Sequence, residues 1–343
     1  MTFKRKLKHI DIEITKKCNL SCLHCSAQSN AKGNELTFGE IRTILDKASL
    51  LGLENAGFTG GEPLSHKDRL VKLLKHCKHT LDLKTHLHTN GTLLSLKDAQ
   101  ILAKFADEIS ITILGSNAQT HDRITSVEGS WKAAQNGLIS LLHQNANVRA
   151  YLVPMKSNFR EFPQIIEMVH QMGCSKFRLL SLSPTGRARE SFDTLSLNYA
   201  ERKWLSEQLL RIRKGLGIDI DAGFCTRQDF PLVGQLPGHQ SCLAAEDRVH
   251  IDAFGEVFPC TASSGLQAFS GANIRTYAFN LADVWKFSPM FQFFRFFHAN
   301  PPKKCRSCRA YKQCMGGCRV MMFYRYQDFT VAKPNCRSPK CLS

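Results

Sequence analysis

The sequence predicts an α/β fold in which a parallel sheet flanked by helices is followed by a smaller cysteine-rich region. Three observations lead there. Strand-like and helix-like stretches alternate from residue 9 to about residue 183. Beyond about residue 226 that alternation gives way to short strands and turns. The fourteen cysteines gather mainly at the two ends of the chain. Six strands joined by helical crossovers imply a parallel sheet, either doubly wound or curled into a barrel, and function then collects at the C-terminal ends of the strands.

The strand candidates, in order, are "HIDIEIT", "NAGFTG", "DLKTHLHT", "EISITIL", "NVRAYLVP" and "KFRLLSLSP". They are rich in β-branched residues and bounded by Gly, Pro or Asn. In "TFGEIRTILDKASLLG", Phe38, Ile41, Ile44, Leu45, Ala48 and Leu51 recur at helical spacing. Thr37 and Glu40 give that helix a capping-box start. "HKDRLVKLLKHC", "LKDAQILAKFA", "SWKAAQNGLISLLHQ" and "FPQIIEMVHQMG" supply the remaining crossovers. Residues 190–225, with "LNYAERKWLSEQLLRIRK", read as a helical bridge, which places domains at 1–189 and 226–343. In "WKFSPMFQFFRFFHANPP", Trp285, Phe287, Met290, Phe291, Phe294 and Phe297 fit a buried helix better than an aromatic groove.

At 343 residues the chain is long enough for a catalytic domain plus a smaller one. Its 43% apolar and 22% charged content reads as globular. No apolar run reaches the length of a membrane span, and "MTFKRKLKHI" lacks the apolar stretch of a secretory signal, so the expected location is the cytoplasm, with no membrane partner. A net charge of +17 favours an anionic partner. The Lys and Arg residues are scattered and no nucleic-acid module is present, which reads against nucleic acid. Without a secretory signal the cysteines point to metal rather than to disulfides.

Cys18, Cys22 and Cys25 have the spacing C-x3-C-x2-C directly after the first strand. Structural zinc takes four protein ligands, and no fourth is obvious, since His24 lies between two of the cysteines in a tight loop. A 4Fe-4S cluster held by three thiolates leaves one iron open for a ligand that is not protein. The spacing resembles the signature of the radical S-adenosylmethionine (AdoMet) superfamily, whose fold is a partial (β/α)6 TIM-like barrel. The resemblance implies that AdoMet chelates the open iron and is cleaved reductively to methionine and a 5′-deoxyadenosyl radical.

Further stretches carry the same resemblance. "TGGEP" follows the second strand and implies cofactor contacts by Gly60, Gly61, Glu62 and Pro63, with Glu62 as the carboxylate that receives the AdoMet amino group. "HTNG" ends the third strand and implies cofactor-facing groups at Thr89 and Asn90. "SITILGSNAQTHDRI" resembles the fourth-strand segment, where Ser110 or Thr112 could meet the ribose. "LLSLSPTGRA" resembles the sixth strand and its exit.

Toward the C-terminus, "CLAAEDRVHIDAFGEVFPC" frames Cys242 and Cys260. "CRSCRAYKQCMGGC" then gives C-x2-C-x5-C-x3-C from Cys305, Cys308, Cys314 and Cys318, and Cys336 follows after seventeen residues. The spacing alone leaves one or two zinc sites open. The array resembles the SPASM domain, which binds two auxiliary 4Fe-4S clusters. That resemblance implies Cys305, Cys308, Cys314 and Cys336 at the distal cluster and Cys242, Cys260 and Cys318 at the proximal one. Cys225 is the natural fourth proximal ligand; if free and facing the active site, it could instead donate a hydrogen atom. Cys77, Cys174 and Cys341 read as unligated.

Enzymes of this architecture commonly modify ribosomally made peptides, and the expected activity is oxidative crosslinking of a peptide, with epimerisation as a variant. The alternative is action on a tetrapyrrole or another small cofactor precursor. Sulfatase maturases, which the chain also resembles, carry an Asp just after the second cysteine of the first SPASM motif; here that position is Thr261. The first strand begins by about residue 9, which leaves no room for a fused leader-binding module, so a separate leader-binding protein is expected. A flavodoxin or ferredoxin is the expected electron donor.

Overall fold

The computed structural model describes residues 5–230, 232, 236–237, 241–308 and 311–332. Cys336 and Cys341 lie outside the described residues. The six strands read from the sequence form in register order as β1 (His9–Glu13), β2 (Asn55–Thr59), β3 (Lys84–Thr89), β4 (Glu108–Thr112), β5 (Val148–Leu152) and β6 (Lys176–Leu179), each parallel to the next. The fold is the partial barrel that the motifs imply, with a C-terminal cysteine-rich region.

The sheet is wider than those six strands. In the stretch read as a helical bridge, helix Tyr199–Leu216 is followed by β7 (Asp219–Ala222), parallel to β6. On the other flank β8 (Arg248–Ile251) runs parallel to β1, and β9 (Glu256–Phe258) and β10 (Ala272–Asn273) continue antiparallel. The order is therefore β10-β9-β8-β1-β2-β3-β4-β5-β6-β7, with eight parallel strands among the ten. Eight is the number that closes a TIM barrel. Here no ladder among the described residues joins β7 to β8, so the barrel stays open along one side.

Alternation along each strand gives the sheet two characters. One face presents Ile10, Ile12, Ala56, Phe58, Leu87, Ile109, Ile111, Ala150, Phe177 and Ile220, all fully buried under the helices. The first crossover helix shows how the sequence achieves this. Phe38–Ser49 is capped by the Thr37–Glu40 box and buries Ile41, Ile44, Leu45 and Ala48, one stripe at helical spacing. A second capping box, Ser95 with Asp98, starts Leu96–Phe105.

The aromatic stretch near 290 forms two helices rather than one. Leu281–Phe287 ends at Ser288, and Pro289 opens the next helix, Pro289–Ala299, because proline cannot donate the hydrogen bond that continuity requires. Trp285, Phe291, Phe294 and Phe297 are buried as expected, whereas Phe287 at the break is 66% exposed.

Between β1 and β8 lies a buried ionic group. Lys16 Nζ meets Glu13 Oε2 at 2.5 Å and also donates to the Ala27 carbonyl at 2.8 Å. His250 Nε2 lies 3.3 Å from Glu13 Oε1, which also accepts from Ser264 Oγ at 3.1 Å. Burial alone would raise the Glu13 carboxyl, but the His250 hydrogen bond and the Lys16 charge outweigh it and lower it from 4.5 to about 2. A carboxyl lowered on folding stabilises the protein above its unfolded value and loses that contribution as the pH falls through the folded one. Stability should therefore decline between about pH 4.5 and 2. Glu13→Gln leaves the Lys16 ammonium buried without its counterion and should cost roughly 3–5 kcal/mol. Denaturant unfolding at neutral pH and across the acid range measures both effects.

Candidate functional site

The polar face of the barrel encloses a cavity of about 770 Å³. Its wall includes Cys18, Gly60, Gly61, Thr89 and Asn90 at the C-terminal ends of the strands, and Lys8, Glu54 and Asp247 just before their N-terminal ends. The cavity thus runs the length of the barrel rather than sitting at one end.

At the upper end the loop after β1 brings Cys18, Cys22 and Cys25 onto the wall together. Burial, then the neighbouring Cys25 and Cys18 charges, pushes the Cys22 thiol up to about 12. Such a thiol set is a donor array that gains from a bound cation. The loop's path is set from two sides. Gly61 N donates to the Thr15 carbonyl at 2.8 Å and Glu62 N to the Lys17 carbonyl at 2.8 Å. Gly60 has φ +138°, and a Cβ at Gly60 or Gly61 would collide with those backbone carbonyls, so the Gly-Gly pair is required sterically. From the exit of β6, Arg187 donates to the Cys22 carbonyl at 3.1 Å, the Ser29 carbonyl at 3.0 Å and Ser29 Oγ at 3.0 Å. Ser29 Oγ in turn lies 3.5 Å from Cys25 Sγ.

The sequence-predicted cofactor residues divide into two groups. Gly60, Gly61, Thr89 and Asn90 line the cavity, and Asn90 Nδ2 approaches Cys18 Sγ at 4.0 Å. Glu62 and Pro63 are buried behind the wall. Glu62 accepts from Leu64 N at 3.0 Å, Thr89 Oγ1 at 2.6 Å and Asn90 N at 2.8 Å. It thereby ties the exit of β2 to the exit of β3, while burial pushes its carboxyl up against those three bonds. Ser110 is also buried, beside the Tyr151 hydroxyl, whereas Thr112 reaches the wall.

Several wall residues carry no signal in the motifs. His24 lines the cavity with its Nδ1 buried and, among the described residues, without a hydrogen-bond partner. His9, Asp11, His86, His88, Glu108, Tyr151, Arg178 and Arg248 line its middle and lower parts. Only strand alternation in a barrel of known direction would have pointed them inward.

The second cysteine cluster gathers beside the barrel. Cys225 Sγ lies 3.6 Å from Cys318 Sγ, and the Cys225 thiol also feels the charges of Cys318, Cys242 and Cys260. Cys260 Sγ lies 3.6 Å from Ser263 Oγ. Cys305 and Cys314 both act on the Tyr311 hydroxyl, so they share one neighbourhood. Thr261, next to Cys260, lines the barrel cavity, which brings the two cysteine regions to a common wall.

Residues 12–169 match the Radical SAM superfamily. Residues 242–309 match the SPASM iron-sulfur cluster-binding domain. The chain belongs to the radical SAM superfamily. It is a radical SAM enzyme with a C-terminal SPASM domain, and its cofactors are 4Fe-4S clusters and AdoMet. The three thiols, the unpartnered His24 nitrogen and the glycine-lined wall fit that pair of groups.

Similar proteins span nearly the whole chain. An AdoMet-dependent heme synthase of Methanosarcina barkeri is 27% identical, covering 94% of each chain. A PqqA peptide cyclase of Granulibacter bethesdensis is 24% identical, covering 94% of this chain and 85% of its own. Streptococcus suis SuiB bound to the precursor peptide SuiA shares the fold, with a TM-score of 0.77 at 19% identity, covering 99% of this chain and 77% of that one.

Arg187→Ala removes three hydrogen bonds from the cysteine loop of this radical SAM enzyme without touching a cysteine. AdoMet cleavage, measured as 5′-deoxyadenosine formed with dithionite, should fall by roughly 10–100-fold. Iron bound by the C-terminal cysteines should be retained, as read by iron analysis against a protein that lacks Cys18, Cys22 and Cys25.

Proposed function

We propose that this enzyme oxidatively modifies a ribosomally made peptide. The observation that carries the reading is the cavity itself: one space of about 770 Å³ must accommodate AdoMet and the reacting part of the substrate. A peptide need insert only the residue to be changed, through the open side of the barrel. A tetrapyrrole would have to enter whole, macrocycle and carboxylate side chains together, beside AdoMet in the same space. The names of the PqqA peptide cyclase and mycofactocin maturase relatives, together with the SuiB–SuiA complex, support a peptide.

In this reading Cys18, Cys22 and Cys25 hold the AdoMet-binding cluster. Bound there, the reduced cluster and AdoMet supply the radical that abstracts hydrogen from substrate. Gly60, Gly61, Thr89 and Asn90 shape the AdoMet pocket, and Glu62 acts behind them by holding Thr89 and the Asn90 backbone. Cys225, Cys242, Cys260 and Cys318 hold the proximal auxiliary cluster, a role supported by the contact of Cys225 with Cys318 and one that leaves Cys225 no part as a hydrogen donor. Cys305, Cys308 and Cys314, with Cys336, hold the distal cluster. A flavodoxin or ferredoxin supplies electrons, and a separate carrier protein presents the peptide's leader.

One observation favours a second reading. Three relatives, at 25–27% identity, are named AdoMet-dependent heme synthases, which keeps a tetrapyrrole substrate in view.

Anaerobic capture on the immobilised, AdoMet-loaded enzyme, followed by mass spectrometry of the bound species, separates the readings. A peptide that loses two hydrogens on turnover is the expected result. A bound tetrapyrrole, with no peptide, would establish the second reading instead. Replacing Cys18, Cys22 and Cys25 together should abolish 5′-deoxyadenosine formation; persistent cleavage would remove the role given to them.

A further inference from the structure

We infer that Asp11, halfway along the barrel wall, recognises a positively charged nitrogen of the substrate, an ammonium or guanidinium. The carrier of that nitrogen, a lysine or arginine side chain, rests on the peptide reading; the charge recognition does not.

The charged residues of the cavity wall are almost all matched within the protein. Lys8 pairs with Glu54 at 3.2 Å and Arg248 with Asp247 at 3.1 Å. Glu108 pairs with Arg149 at 3.2 Å and Arg178 with Asp221 at 2.6 Å. Arg187 is occupied by the cysteine loop. Asp11 is the exception. Its Oδ1 faces His9 Nε2 at 3.0 Å and its Oδ2 accepts from Thr261 Oγ1 at 3.2 Å. Among the described residues it forms no ion pair with a Lys or Arg.

The one ion-pair partner of Asp11 is the His9 imidazole, charged only when protonated, and the other neighbours add no permanent charge. His88 on β3 is pushed by burial down to about 4, so it is neutral at physiological pH. His250 on β8 is committed to Glu13. His86 on β3 packs with its ring 5.9 Å from that of His9, and burial lowers it as well. Asp11 itself is held well below the usual carboxylate range, by His9 above all, despite its burial. The lumen therefore carries an ionised carboxylate whose fixed partners are an imidazole and a hydroxyl.

That carboxylate lines the cavity and has bonding capacity to spare. Opposite it on β2 stands Gly57, where a Cβ would overlap Asp11 Oδ1, so the glycine clears space for the side chain. Each carboxylate oxygen makes one of these two contacts and can accept a second hydrogen bond. Asp11 precedes Thr15, at the strand exit, by four residues, roughly 13 Å at strand rise. A cation anchored at Asp11 thus leaves the space above it for the reacting carbon and AdoMet. Such a charge-assisted pairing is stronger than a hydrogen bond between neutral groups.

The test uses small probes of equal length: n-pentylammonium, pentan-1-ol and pentanoate. On AdoMet-loaded, unreduced holoenzyme, saturation-transfer NMR titrations should show the ammonium binding about tenfold more tightly than the alcohol, with pentanoate weakest. With the perdeuterated probes and dithionite, the fraction of 5′-deoxyadenosine that gains deuterium should follow the same order. Asp11→Asn should flatten both orders. The comparison among probes on the unaltered protein stands by itself should that variant fail to fold. Equal binding of all three, or a preference for pentanoate, would overturn the inference. So would an ammonium preference that survives in Asp11→Asn. If the order holds but a tetrapyrrole is captured from extract, the peptide reading fails and Asp11 keeps its role. If a captured peptide is converted equally well with its Lys and Arg replaced by norleucine, the peptide reading stands and the inference falls.

Discussion

Strand β1 is the element on which the rest of the molecule depends, because it is hydrogen-bonded on both flanks to different parts of the chain. On one side it pairs with β2 and so with the barrel; on the other it pairs with β8, which lies between Cys242 and Cys260. The loop it feeds carries Cys18, Cys22 and Cys25. One five-residue strand therefore fixes the spatial relation between the two cysteine regions. The buried Glu13–Lys16–His250 group repeats that connection in charge, since Glu13 and Lys16 flank the exit of β1 and His250 belongs to β8.

An open barrel has a consequence for its lumen. A closed barrel of eight strands fills its interior with branched apolar side chains. Here the inward positions of β1, β3, β4, β5 and β6 carry His, Asp, Glu, Tyr and Arg instead. These groups are tolerable only because water or substrate reaches them and because nearly every charge has a protein counterion. The wall is thus pre-arranged for polar recognition, with Asp11 as the carboxylate that, among the described residues, has an imidazole rather than a Lys or Arg beside it.

Much of this was legible in the sequence where the signal is local. The cysteine spacing, the Gly-Gly pair after β2 and the Thr37–Glu40 cap each state a short-range geometric need, and the structure meets each one. What was not legible depends on long-range pairing. β7 is only four residues long and follows an 18-residue helix, so it offers too short a pattern to separate from its surroundings. The pairing of β8 with β1 joins residues some 240 positions apart, and nothing in either segment names the other. Thr261 read simply as the absence of an acid; in the fold its hydroxyl donates to Asp11, a carboxylate contributed by β1. Glu62 matched a motif for cofactor contact, yet its carboxylate is engaged with Leu64, Thr89 and Asn90, a set that only the third dimension brings together.

The central claim is that the two cysteine regions hold separate iron-sulfur clusters on one shared scaffold. Iron and acid-labile sulfide counts, with Mössbauer spectra, on anaerobically reconstituted protein test it most directly. The account predicts about 12 irons per chain, as 4Fe-4S clusters, falling to about 8 when Cys18, Cys22 and Cys25 are replaced together. A count of about 4 with zinc bound at the C-terminal cysteines would contradict it.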